Sequence, residues 1–145
     1  YVKKSTFILT IVILVIISCI AYIYLNYKAN FYDARNQNMQ YENYLDKEIY
    51  GSELASIINK AVDNNVKDKV SKDSNGIYQD NQTTSINIQI KILDNDTTYN
   101  METLYNGGMD NFVKYYNQIK FKCTKIEHHE KTNKIKYMLF EQISQ

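Results

Sequence analysis

Glu127, His128, His129 and Glu130 form the only histidine cluster in the chain, and imidazoles beside carboxylates are donors that suit a transition metal. Neighbouring residues on a strand point to opposite faces, so both imidazoles meet one ion only where the strand bends. The cluster is read as an exposed hairpin tip, with no metal site. Two stretches carry the alternating oxygen side chains that calcium needs: Asp73 with Asn75 and Gly76, and Asp94 with Asp96 and Thr98. With Ser71 or Asp94 as first ligand, the position that requires a bidentate Glu holds Gln82 or Tyr105, so ordinary turn chemistry is the better reading. No nucleophile elbow, Ser-His-Asp arrangement or glycine-rich phosphate loop occurs. Cys123 alternates with apolar neighbours and reads as a small buried hydrophobe. Cys19 lies far away in an apolar run, and the two are not expected to pair. The expectation is a protein with no catalytic residues and no cofactor, and not an enzyme.

The elements that hold these residues begin with an anchor. Residues 5–27 carry no formal charge, and Phe7, Leu9, Ile11, Ile13, Leu14, Ile16, Ile17 and Ile20 dominate the stretch. About 20 apolar helical residues cover the hydrocarbon thickness of a bilayer. The run exceeds a signal-peptide core, and no small-x-small cleavage site follows it. Tyr22, Tyr24 and Tyr27 gather at its C-terminal end, where amphipathic rings settle at a membrane interface. Lys3 and Lys4 favour an N-terminus inside, with the remainder extracytoplasmic. With formal net charge +1 and no basic reservoir, nucleic acid is not an expected partner. The abundance of Ile, Asn, Lys and Tyr suggests an AT-rich, bacterial source.

No Gly or Pro lies between Lys3 and Tyr50, so the helix is expected to continue through residues 28–50, presenting Phe31, Ala34, Tyr41, Leu45 and Ile49 with Asn38 interrupting the face. Residues 51–145 form the head. Ser52 is expected to cap a helix whose stripe is Leu54, Ile57, Ile58, Ala61 and Val62, and which Asn64 and Asn65 end. Residues 66–84 read as an exposed loop or short hairpin, and Ile86, Ile88, Ile90 and Ile92 alternate as a half-buried strand. Residues 98–106 and 109–118 read as short helices with Leu104, Phe112, Val113 and Tyr116 inward. Ile119, Phe121 and Cys123, then Ile135, Tyr137 and Leu139, predict a hairpin turning at residues 130–133. The expected class is α+β, an antiparallel sheet covered on one face, with Leu54, Ile57, Ile58, Val62, Ile86, Ile88, Ile90, Phe121 and Leu139 in the core.

An apolar half-rod, its continuation and a C-terminal sheet together resemble a type IV pilin-like subunit, and Tyr1 resembles the aromatic or Met residue that begins a mature pilin. The family's Glu at the fifth position is Ser5 here, and its frequent Pro at position 22 is Tyr22. The resemblance implies a subunit polymerising through its N-terminal helix into an extracellular filament. The alternative expectation is a single-pass protein whose extracytoplasmic domain binds another envelope component. The expected partners are the membrane, further copies of the chain, or other envelope proteins.

Overall fold

The structure is a computed structural model that describes residues 3–144, so Tyr1 lies outside the described residues. The chain divides into two units, Tyr1–Asp33 and Ala34–Gln145. The first unit holds most of helix α1 (Lys4–Met39). Phe7, Leu9, Ile11, Ile13, Leu14, Ile16, Ile17 and Ile20 are all exposed on it, as are Tyr22, Tyr24 and Tyr27. Thr10 and Ser18 donate their hydroxyls to the carbonyls of Thr6 and Leu14, so their polar atoms are satisfied within the helix. Among the described residues one helix is long and apolar enough to cross a membrane.

The second unit begins with the last turn of α1, and here the expectation of a helix continuing to Tyr50 fails. Asn38 is buried; its amide donates to the Asn133 carbonyl at 2.7 Å and its oxygen accepts the Ile135 N–H at 2.9 Å. Gln40 and Tyr41 then donate to the carbonyls of Gln37 and Asn38, three residues back, which tightens and ends the helix. Tyr41 is fully buried, with its hydroxyl accepting the Asn64 amide at 2.6 Å. A 3-10 turn (Glu42–Tyr44) follows, Asp46 takes φ 59°, and the chain enters strand β1 (Glu48–Tyr50). Of the face expected on the rod, Ala34, Tyr41 and Ile49 are buried, whereas Phe31 and Leu45 are exposed. Residues needed by the head core are drawn out of the helix to reach it.

Helix α2 (Gly51–Lys67) starts one residue before the expected cap and runs two beyond the expected end. Its N-cap is Tyr50, without a side-chain hydrogen bond, so Ser52 does not cap it. Asn65 continues the buried stripe. It is fully buried and holds both backbone groups of Ile86, donating to the carbonyl at 2.8 Å and accepting the N–H at 2.9 Å. Val70 and Tyr78 are also buried, so the long connection to the next strand is partly core rather than wholly exposed.

Strand β2 (Asn87–Ile92), strand β3 (Thr97–Asn100), helix α3 (Met101–Asn106), helix α4 (Met109–Tyr116), strand β4 (Lys120–His128) and strand β5 (Ile135–Gln142) complete the head. Residues 97–100 pair with β2 instead of opening a helix, because Gln89 to Ile92 present a free edge to them. The fold is α+β with a five-stranded sheet ordered β1-β4-β5-β2-β3. Between the strands every pairing is antiparallel except β2 with β5, which is parallel, so the sheet is mostly antiparallel as expected, with one parallel pair that the sequence reading did not include. That pairing is a long-range choice with no local turn to announce it.

Leu54, Ile57, Ile58, Val62, Ile86, Ile88, Ile90 and Phe121 lie in the core. Leu139 does not; Ile135, Met138 and Phe140 are the buried residues of β5. Opposite β5, His128 pairs with Ile135 and Glu127 with Tyr137, leaving Lys136 as an extra residue. One inserted residue reverses which side chains face the core, so Tyr137 and Leu139 turn away. Phe112 stacks on Tyr116 at 5.0 Å and lies 6.2 Å from Phe121, fastening α4 to the buried face of β4. The opposite face carries a polar ladder in which the Tyr137 hydroxyl donates to Gln89 at 2.8 Å and the Gln89 amide donates to Asn100 at 3.2 Å.

Candidate functional site

The β4–β5 turn collects the histidine cluster and much of the head's buried polarity. Asn133, at φ 59°, reverses the chain, with its N–H donating to the His129 carbonyl at 2.8 Å while the His129 N–H donates to the Lys134 carbonyl at 2.8 Å. The bend separates the two imidazoles. His128 ends β4 with its Nε2 2.8 Å from the Glu42 carboxylate. His129 is buried, not at an exposed tip as expected, and its Nε2 lies 2.7 Å from the Ser85 carbonyl oxygen. A carbonyl only accepts, so Nε2 carries the proton. Nδ1 of the same ring lies 3.7 Å from Asp80 Oδ1.

Residues 80–85 are shaped to receive this ring. Asn81 Oδ1 accepts the N–H groups of Thr83, Thr84 and Ser85 at 3.0, 2.8 and 2.9 Å, which curls the loop around one side-chain oxygen. Asp80 Oδ1 accepts the Gln82 N–H at 2.7 Å, and Lys136 lies 3.6 Å from the other carboxylate oxygen. The Gln82 N–H chiefly holds the Asp80 carboxyl below the ordinary carboxylate range, with Lys136 and His129 adding to it and burial opposing it. Lys131 donates to Gln82 at 3.0 Å and Thr132 to the Thr83 carbonyl at 2.6 Å. Between loop and turn lies a cleft of about 530 Å³, also lined by Glu127 and Glu130.

This arrangement joins three segments: the end of α1 through Asn38, the 3-10 turn through Glu42, and the 80–85 loop through Asp80 and Ser85. Nε2 of His129 is committed to the Ser85 carbonyl, and among the described residues no hydroxyl or thiol donates to either imidazole. Nor, among the described residues, do three His, Cys, Asp or Glu side chains converge as metal ligands. Cys123 is fully buried, and burial pushes its thiol up to about 11, far from a reactive thiolate. Asp73 Oδ1 accepts the N–H groups of Asn75 at 2.8 Å and Ile77 at 3.0 Å, the geometry of an Asx turn. Near Asp94 and Asp96, Asn95 binds its own turn and the Tyr99 hydroxyl.

Sequence reading missed the buried asparagines. Asn38 looked like a gap in an apolar face and Asn65 like a helix stop, yet each replaces a backbone partner for another segment. The signal available was position: Asn65 falls on the stripe of Leu54, Ile58 and Ala61, seven and four residues after the last two. No known protein-family description matches this chain, and no curated protein or solved structure matches it at a significant level.

Proposed function

We propose that this protein is a single-span membrane protein whose extracytoplasmic head is a non-catalytic module that binds another component of the cell envelope. The observation that carries this is the contrast between the exposed, charge-free and largely apolar surface of α1 over residues 5–27 and a separate head with its own core. In water that surface is costly at about 25 cal/mol per Å², so lipid or protein must cover it. The charge-free span, its tyrosines and the preceding Lys3 and Lys4 support lipid as the cover and an N-terminus inside. Of α1, only Ala34 and Asn38 are buried, so the head draws on no more than the last turns of that helix for its core.

A second reading is a pilus-like filament subunit. It is favoured by the β-branched surface of α1, which neighbouring copies can bury as well as acyl chains do. Electron microscopy of sheared surface material, beside alkaline extraction of the membranes, separates the two. The anchored reading expects the protein to remain in the extracted membrane with no fibres containing it. Fibres that carry the chain support the filament reading. Release into the alkaline supernatant without fibres removes both.

A further inference from the structure

His129 lies in the β4–β5 turn with 1% of its side chain exposed, and its two ring nitrogens meet unlike partners. Nε2 donates to the Ser85 carbonyl at 2.7 Å, so in the neutral ring Nδ1 is a bare acceptor. The group facing it at 3.7 Å is Asp80 Oδ1, which is also an acceptor. Two acceptors oppose each other with no hydrogen between them. One proton on Nδ1 supplies a donor and a unit positive charge beside the carboxylate. We propose that His129 and Asp80 form a proton-operated latch, in which acid fastens the β4–β5 turn to the 80–85 loop and a neutral imidazole leaves that contact slack.

The surrounding charges permit this. From β5, Lys136 addresses the other Asp80 oxygen at 3.6 Å. From the turn, Lys131 is turned to Gln82, with Glu130 and Lys134 in the same segment. From β4, Glu127 lines the cleft and His128 is engaged by Glu42. From α1 the neighbour is the neutral amide of Asn38, bonded to Asn133 and Ile135. Asp80 stays ionised in mild acid because its carboxyl is held low, so the anion is in place when the ring takes its proton. The turn that closes also grips the last turn of α1 through Asn38, so one proton tightens the meeting point of three segments.

The test is hydrogen exchange of the full chain in detergent micelles, read at the amides of His129 and Asn133 and corrected for intrinsic rates. It compares about pH 8 with about pH 5.5, one on each side of neutrality. Opposite charges about 4 Å apart in water attract by about 1 kcal/mol, so protection should rise about fivefold on acidification. Asp80→Asn and His129→Gln should cut the rise to the smaller background left by Glu102, whose buried carboxyl is held above the ordinary range and also favours acid in every variant, and His128→Gln should keep the full rise. A wild-type protein without the rise, an undiminished rise in Asp80→Asn, or loss of the rise in His128→Gln would each overturn the latch. Should His129→Gln fail to fold, Asp80→Asn decides alone, since that side chain is 44% exposed and its removal leaves the core intact.

Discussion

Replacing Gly51 by alanine sets two physical rules against each other. Gly51 is the first residue of α2, is buried, and donates its N–H to the Ile119 carbonyl at 2.9 Å. Helix propensity alone favours alanine there by up to about 1 kcal/mol. Packing says the reverse. A Cβ on Gly51 would stand 1.9 Å from the Tyr116 carbonyl oxygen and 2.5 Å from its carbon, where ordinary contact begins at 3.4 Å. The obstacle is backbone, and it cannot rotate aside. The Tyr116 carbonyl also accepts the Ile119 N–H at 3.0 Å, so moving it by roughly 1.5 Å disturbs the turn from α4 into β4 and the Phe112, Tyr116 and Phe121 contacts. Overpacking of this kind costs about 1–3 kcal/mol, and immovable backbone places the cost near the upper end. After the propensity gain the net loss is about 2 kcal/mol, which lowers the melting midpoint of a head this size by roughly 10 °C. Thermal unfolding of the full chain in micelles, followed by near-ultraviolet tyrosine dichroism, measures it. A Gly51→Ala head as stable as the parent, or more stable, refutes the argument that close approach fixes this glycine.

Three further outcomes follow from buried polar groups. Asn38→Ala strips the Asn133 carbonyl and the Ile135 N–H of their partner, and urea unfolding should show a loss of about 2–3 kcal/mol. The Glu102 carboxyl is held above the ordinary carboxylate range chiefly by burial, with the Tyr78 N–H opposing at 3.1 Å. A raised folded-state value means stability is greatest below the unfolded carboxylate range and declines as pH rises through the folded value. Glu102→Gln should therefore flatten the fall in urea midpoint between about pH 4.5 and about pH 8, those limits bracketing carboxylate titration. Cys123, buried and with its thiol pushed up to about 11, should react with a maleimide at mildly alkaline pH only at the rate of head unfolding.

The parts legible in the sequence were those with a strong local period. Ile86, Ile88, Ile90 and Ile92 could only be a half-buried strand, and Leu54 through Val62 could only be an amphipathic helix. The exposed apolar stretch of α1 declared itself by length. Three kinds of information were not local. Strand β1 is three residues long and exists because β4, some 70 positions later, accepts it. The parallel β2–β5 pairing depends on where the hairpin docks. Leu139 was assigned to the core by unbroken alternation, and the bulge at Lys136 reversed it. The site was half legible. The histidines drew attention as a pair, but only the backbone turn at Asn133 buries one and leaves the other against Glu42. Asparagines acting as surrogate backbone are hard to see in advance, because their partners belong to distant segments.

Impermeant maleimide labelling of intact cells tests the central reading most directly, using Asn75→Cys at an exposed position of the 68–86 connection and Lys4→Cys before the span. A membrane-anchored protein with its head outside predicts rapid labelling at position 75 and none at position 4 until the membrane is permeabilised. Labelling at position 4 alone, or at neither position in intact cells, would contradict it.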